Sequence, residues 1–157
     1  MVDLALPCEL HALGQRAVGE AATRRSGSVE AEHLLLAILD RPDGPAAQLL
    51  STAGLNYATF ANALDAERAR SLGAAGIAPI PDATLAATPR AAKPGWSASV
   101  RDVLRRADKP AAKDGRPGAR ELELAIAILG AQLGTVPRAL AIAAIDRRAA
   151  LGALQRR

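Results

Sequence analysis

The chain has 157 residues, half of them hydrophobic, and a formal charge of +4 from 20 basic and 16 acidic side chains. That length holds one domain or two small lobes around a shared core, and so slight a basic bias fits solvated helix faces better than a nucleic-acid surface. With one Trp, one Tyr and one Phe, the core must be built from Ala, Leu, Ile and Val, which predicts an all-helical protein because Ala and Leu favour helices.

Leu6, Leu10, Leu13, Ala17 and Ala21 recur at helical spacing and predict a first helix from residue 7 to 24, with Pro7 in its first turn. Glu30-Ala31-Glu32-His33 then opens the run Leu34-Leu35-Leu36-Ala37-Ile38-Leu39. This run is apolar on every side, as a helix surrounded by other elements must be, and its acidic head suits the positive end of the helix dipole. Pro45 starts a short third helix that Gly54 stops, and Asn56 is the expected cap of a fourth, with Tyr57, Phe60, Ala61 and Leu64 on one face.

From residue 71 to 95 the texture changes. Pro79, Pro81, Pro89 and Pro94, with Gly73, Gly76 and Gly95, forbid a long helix and mark a linker. The helical spacing then resumes through Trp96, Val100, Val103, Leu104, Ala107 and Ala111, with Ser97 or Ser99 as the cap. Pro110 should kink that helix or end it near Lys109.

A shift of ninety residues lays the first unit on the second. Leu10 falls on Val100, Leu13 on Val103, Ala17 on Ala107, Leu34 on Leu124, Ile38 on Ile128, Leu50 on Leu140 and Leu64 on Leu154. No gap is needed, so one helical unit is used twice. The chain therefore divides into repeat 1 (6–70), a linker (71–95) and repeat 2 (96–157), within a single domain spanning 1–157.

The single Cys8 rules out an internal disulfide framework. Cys8, His11 and His33 make a weak metal or nucleophile set, because zinc sites need three or four ligands; His33 reads as a polar helix-start residue. No stretch is long and apolar enough to span a bilayer, and Met1-Val2-Asp3-Leu4 lacks the pattern of a signal peptide. A cytoplasmic protein without membrane contact is expected.

Two segments carry a resemblance: Glu32-His33-Leu34-Leu35-Leu36-Ala37-Ile38-Leu39, and Gly44-Pro45-Ala46-Ala47-Gln48-Leu49-Leu50 followed by Gly54-Leu55-Asn56. They resemble the amino-terminal Clp repeat domain of Clp ATPases of the ClpA, ClpB and ClpC type. The resemblance implies an all-α, pseudo-twofold bundle of eight helices made of two four-helix repeats. It implies a non-catalytic module that binds protein substrates or adaptors for a Clp ATPase, as adaptor, receptor or decoy, without a cofactor. No Gly-x-x-x-x-Gly-Lys-Ser/Thr phosphate loop occurs, so a free-standing recognition domain without ATP hydrolysis is expected.

ClpC-type relatives also bind phosphoarginine through a Thr at the start of each first helix and a Glu in each Thr-Glu-His turn. Here Glu32 is kept while Pro7 and Ala31 replace the Thr positions; in the second copy Ser97 stands in for Thr and Leu122 replaces Glu. Half of each site is present, which counts against phosphoarginine. Cyclic peptide antibiotics bind such relatives between the two first helices, against an aromatic residue where Trp96 stands here. The implied arrangement has Leu13, Trp96, Val100 and Arg101 lining one shallow cleft, with Glu32 at its edge. The alternative is a small basic nucleic-acid-binding regulator with a helix–turn–helix in 28–54. Its third helix, Pro45 to Ala53, carries no Arg or Lys to touch bases or phosphates.

Overall fold

The computed structural model describes residues 6–78, 80–81, 83–84 and 93–156. These form eight helices: α1 (Cys8–Thr23), α2 (Ala31–Leu39), α3 (Pro45–Ser51), α4 (Tyr57–Ala74), α5 (Ala98–Asp114), α6 (Ala119–Leu129), α7 (Thr135–Ile142) and α8 (Arg147–Gln155). Two short strands, β1 (Ser28–Val29) and β2 (Gly95–Trp96), pair in parallel with Val29 opposite Trp96. That pair is the one departure from an all-helical chain among the described residues.

The ninety-residue repeat holds in three dimensions. Helix starts at Cys8, Pro45 and Tyr57 recur at Ala98, Thr135 and Arg147. Caps recur as well: the Asn56 side chain accepts from the Thr59 amide at 3.0 Å, and Asp146 accepts from the Arg148 amide at 2.8 Å. Before each cap the chain turns through a left-handed residue, Gly54 (φ 77°) in one copy and Ala144 (φ 55°) in the other. Glycine adopts that conformation freely, whereas alanine bears about 1 kcal/mol of strain there.

The repeats exchange partners across a pseudo-twofold axis. α3 of the first packs on α8 of the second, and α7 of the second packs on α4 of the first. α2 and α6 meet in the middle, which explains why Leu34 to Leu39 is apolar all round and fully buried. Leu10, Leu13, Ala17, Leu50 and Leu64 are buried, and so are their counterparts Val100, Val103, Ala107, Leu140 and Leu154.

Four details differ from the sequence-based expectations. α5 does not stop near Lys109 but runs through Pro110 to Asp114. Pro110 is exposed while Ala107 and Ala111 on either side are buried, so packing on the core holds the helix past the missing amide. α4 runs to Ala74, past residue 70. Trp96 precedes the Ser97 cap in extended backbone instead of joining the helix. His33, read as a polar helix-start residue, is in the first turn of α2 but only 3% exposed. Of the expected linker, residues 79, 82 and 85–92 lie outside the described residues. No described helix is long and apolar enough to cross a membrane.

Candidate functional site

A groove lies between the first helices of the two repeats. Leu6 and Pro7 lead into α1 and Leu10 follows one turn later; opposite them α5 presents Leu104, Ala107 and Ala111. The small alanines leave a cavity of about 270 Å³ between these walls. Its rim is charged, with Arg101, Arg105 and Asp108 from α5 and Arg120 from the start of α6. Arg120 pairs with Asp108 and reaches Glu9 of α1 at 3.5 Å, so it joins the two walls.

Beside this groove, Gly14 of α1 lets two side chains converge. A Cβ at Gly14 would collide with Leu6 and stand 3.4 Å from the Trp96 ring. Ninety residues on, the equivalent position is Leu104. The two helices therefore differ at this point: one carries a glycine covered by Leu6 and Trp96, the other a leucine that lines the groove.

The residues expected to share one cleft separate into three places. Trp96 packs half-buried over Gly14, and Arg101 lies on the groove rim. Leu13 and Val100 are 1% and 0% exposed; their face of each first helix turns to the core, so they support the groove from beneath and do not line it. The Ser97 hydroxyl accepts from the Val100 amide at 3.2 Å and meets Ser99 Oγ at 2.9 Å, as a helix cap. Glu32 lies elsewhere, in a second cavity of about 330 Å³ shared with Glu30, Ser99, Asp102, Arg106 and the exposed Leu133. Leu6, Leu10, Leu104, Arg105 and Arg120 were not singled out from sequence. The signal available for them was the mismatch in size between Gly14 and Leu104 at equivalent positions.

The second cavity is built around carboxylates. Glu30 accepts from Ser28 Oγ at 2.7 Å and from Ser99 Oγ at 2.9 Å, tying the start of α2 to the start of α5. Burial pushes its carboxyl up, but the hydroxyls of Ser28, Ser97 and Ser99 together with His33 hold it below the usual range. Burial pushes the Glu32 carboxyl up, and the neighbouring Glu30 and Glu67 add to the rise. A third, more polar cavity of about 300 Å³ places Arg24, Arg25 and Arg68 around Glu32, Glu67 and His33.

His33 Nδ1 accepts from the Glu30 amide at 2.9 Å, which fits a neutral ring with its proton on Nε2. Burial, aided by the positive Arg24, lowers its pKa to about 4. Cys8 and His11 are exposed on α1, and His11 meets the Gln15 amide at 3.3 Å. Among the described residues, no three His, Cys, Asp or Glu side chains gather as a metal site requires.

An apolar floor with a charged rim, open along two helices, fits an extended or helical polypeptide segment better than a small polar metabolite. No curated protein matches the chain. The model of the Clp repeat (R) N-terminal domain matches residues 11–94, more than half of the chain, covering most of α1 and all of α2, α3 and α4. The chain belongs to this family of Clp N-terminal domains, all-α interaction modules of the Clp system.

Proposed function

We propose that the chain is a receptor of the Clp system and that the groove between α1 and α5 is where it takes up apolar segments of substrate or adaptor proteins. One observation carries this reading: Leu6, Leu10, Leu104, Ala107 and Ala111 leave an unfilled apolar space between the two repeats' first helices. Protein interiors pack to crystal-like density, so an open apolar space of this size is room for a ligand side chain. A side chain of Leu or Phe size in that space would remove apolar surface from water at about 25 cal/mol per Å². Trp96 and Leu6 extend the apolar strip over Gly14, and cyclic peptides are the rigid ligands that match it. A Clp ATPase is the downstream partner that the family implies.

The test is fluorescence anisotropy of a labelled, permanently unfolded model protein titrated with the domain. Leu104→Gln should weaken binding about tenfold or more, the scale of a lost anchor, while the thermal melt stays cooperative. Equal affinity of wild type and Leu104→Gln would place the receptor surface elsewhere.

A further inference from the structure

We infer that the groove selects acidic amphipathic segments, with carboxylates spaced one helical turn apart; this rests on the receptor reading above. α5 carries Arg101, Arg105 and Lys109 four residues apart, all exposed. At 1.5 Å per residue they form a cationic ridge about 12 Å long. Arg101 and Arg105 line the groove together with Leu104.

The acids on α5 offset this ridge only at Arg105. Asp102 is shared by Arg105 and Arg106, each at 3.1 Å, and Asp108 is taken by Arg120. Arg101 and Lys109 form no ion pair among the described residues. A bound helix with acids at i and i+4 would set its carboxylates against Arg101 and Arg105 and its apolar face against Leu104, Ala107 and Leu10. A nucleic acid would satisfy the cations but leave the apolar floor without a partner.

The experiment compares three helical peptides of one length and one leucine pattern, differing only in the residue placed every fourth position: Glu, Gln or Lys. The Glu peptide should bind roughly tenfold tighter than the Gln peptide at low salt, and the advantage should largely vanish near 1 M salt. Charge reversal by Arg101→Glu with Lys109→Glu should invert the order in favour of the Lys peptide, with circular dichroism confirming the fold. Equal binding of the Glu and Gln peptides, both weakened by Leu104→Gln, would overturn the inference and leave the receptor reading standing. If neither peptide binds, or Leu104→Gln changes neither, both fail. Tighter binding of a duplex DNA oligonucleotide that displaces the Glu peptide would also overturn the inference.

Discussion

Glu121, near the start of α6 in the second repeat, accepts a hydrogen bond at 3.2 Å from the Ala46 amide in the first turn of α3 in the first repeat. Its other oxygen takes Arg41 at 2.9 Å. The approach depends on Gly44, because a Cβ there would stand 2.8 Å from the carboxylate. A helix begins with amides that lack partners, and here the other repeat supplies one acceptor. Glu67 of α4 makes the corresponding tie from the other side, accepting from Arg138 of α7 and from Ser71, each at 2.7 Å. Two buried carboxylates thus hold the repeats in register.

Removing Glu121 should therefore loosen the junction. Glu121→Ala leaves a buried amide and Arg41 without their acceptor, at a cost of about 1–3 kcal/mol, read as a fall of several degrees in Tm. Glu121→Gln keeps an acceptor and should cost less at neutral pH. Burial raises the Glu121 carboxyl, with Ala46 and Arg41 only partly opposing it. The folded state then holds that proton more tightly than the unfolded chain, so the stability involved is complete below the unfolded value and is lost as pH rises through the folded one. Stability of Glu121→Gln relative to wild type should improve with rising pH above 4.5; a flat difference would show that the site does not titrate.

His33 gives the opposite sign. Its folded pKa is about 4 against an ordinary 6.5, so the unfolded chain binds the proton more tightly between those values. The contribution is present above 6.5 and is lost as pH falls toward 4, roughly 3 kcal/mol in all. His33→Gln keeps an acceptor for the Glu30 amide but cannot gain a proton. Urea melts of wild type and variant should diverge across this window, with wild type losing the more. Parallel curves would mean that the buried imidazole is not the sensing group.

Gly14→Ala should report on the apolar strip. The added methyl must displace Leu6 and press on the ring of Trp96, the chain's one Trp. Alanine gains about 1 kcal/mol in helix propensity, offsetting the crowding, so the melt should change little while the fluorescence maximum of Trp96 shifts. An unchanged spectrum would place Trp96 away from Gly14.

Leu35 is 0% exposed at the centre of α2. Leu35→Ala should cost about 2–5 kcal/mol, a large share of the roughly 5–15 available to a domain. The urea midpoint should drop with an unchanged slope; a loss under about 1 kcal/mol would contradict the central place given to α2.

The repeat, the caps at Asn56 and Ser97 and the buried run from Leu34 to Leu39 were legible because each depends on local spacing and on residues within one turn. A cleft between the two first helices was expected, but its lining was not legible, because that depends on which face of α5 turns toward α1. Leu13 and Val100 have the same apolar character as Leu10 and Leu104, and periodicity alone does not tell the face that meets the core from the face that meets the other repeat. Pro110 was misjudged for a similar reason, since tertiary packing through Ala107 and Ala111 overrides the local cost. Glu32 was expected at the edge of a cleft lined by Trp96, but Trp96 packs over Gly14 while Glu32 opens into the cavity with Asp102 and Arg106.

The central claim is that a polypeptide segment sits between the first helices of the two repeats. Amide chemical-shift mapping of the labelled domain with an unfolded model protein tests it most directly. The largest shifts should fall on Leu6, Leu10, Leu104, Arg105 and Ala111, with Trp96 moving alongside. Shifts concentrated instead around Glu32, Asp102 and Leu133, with the groove residues still, would contradict it.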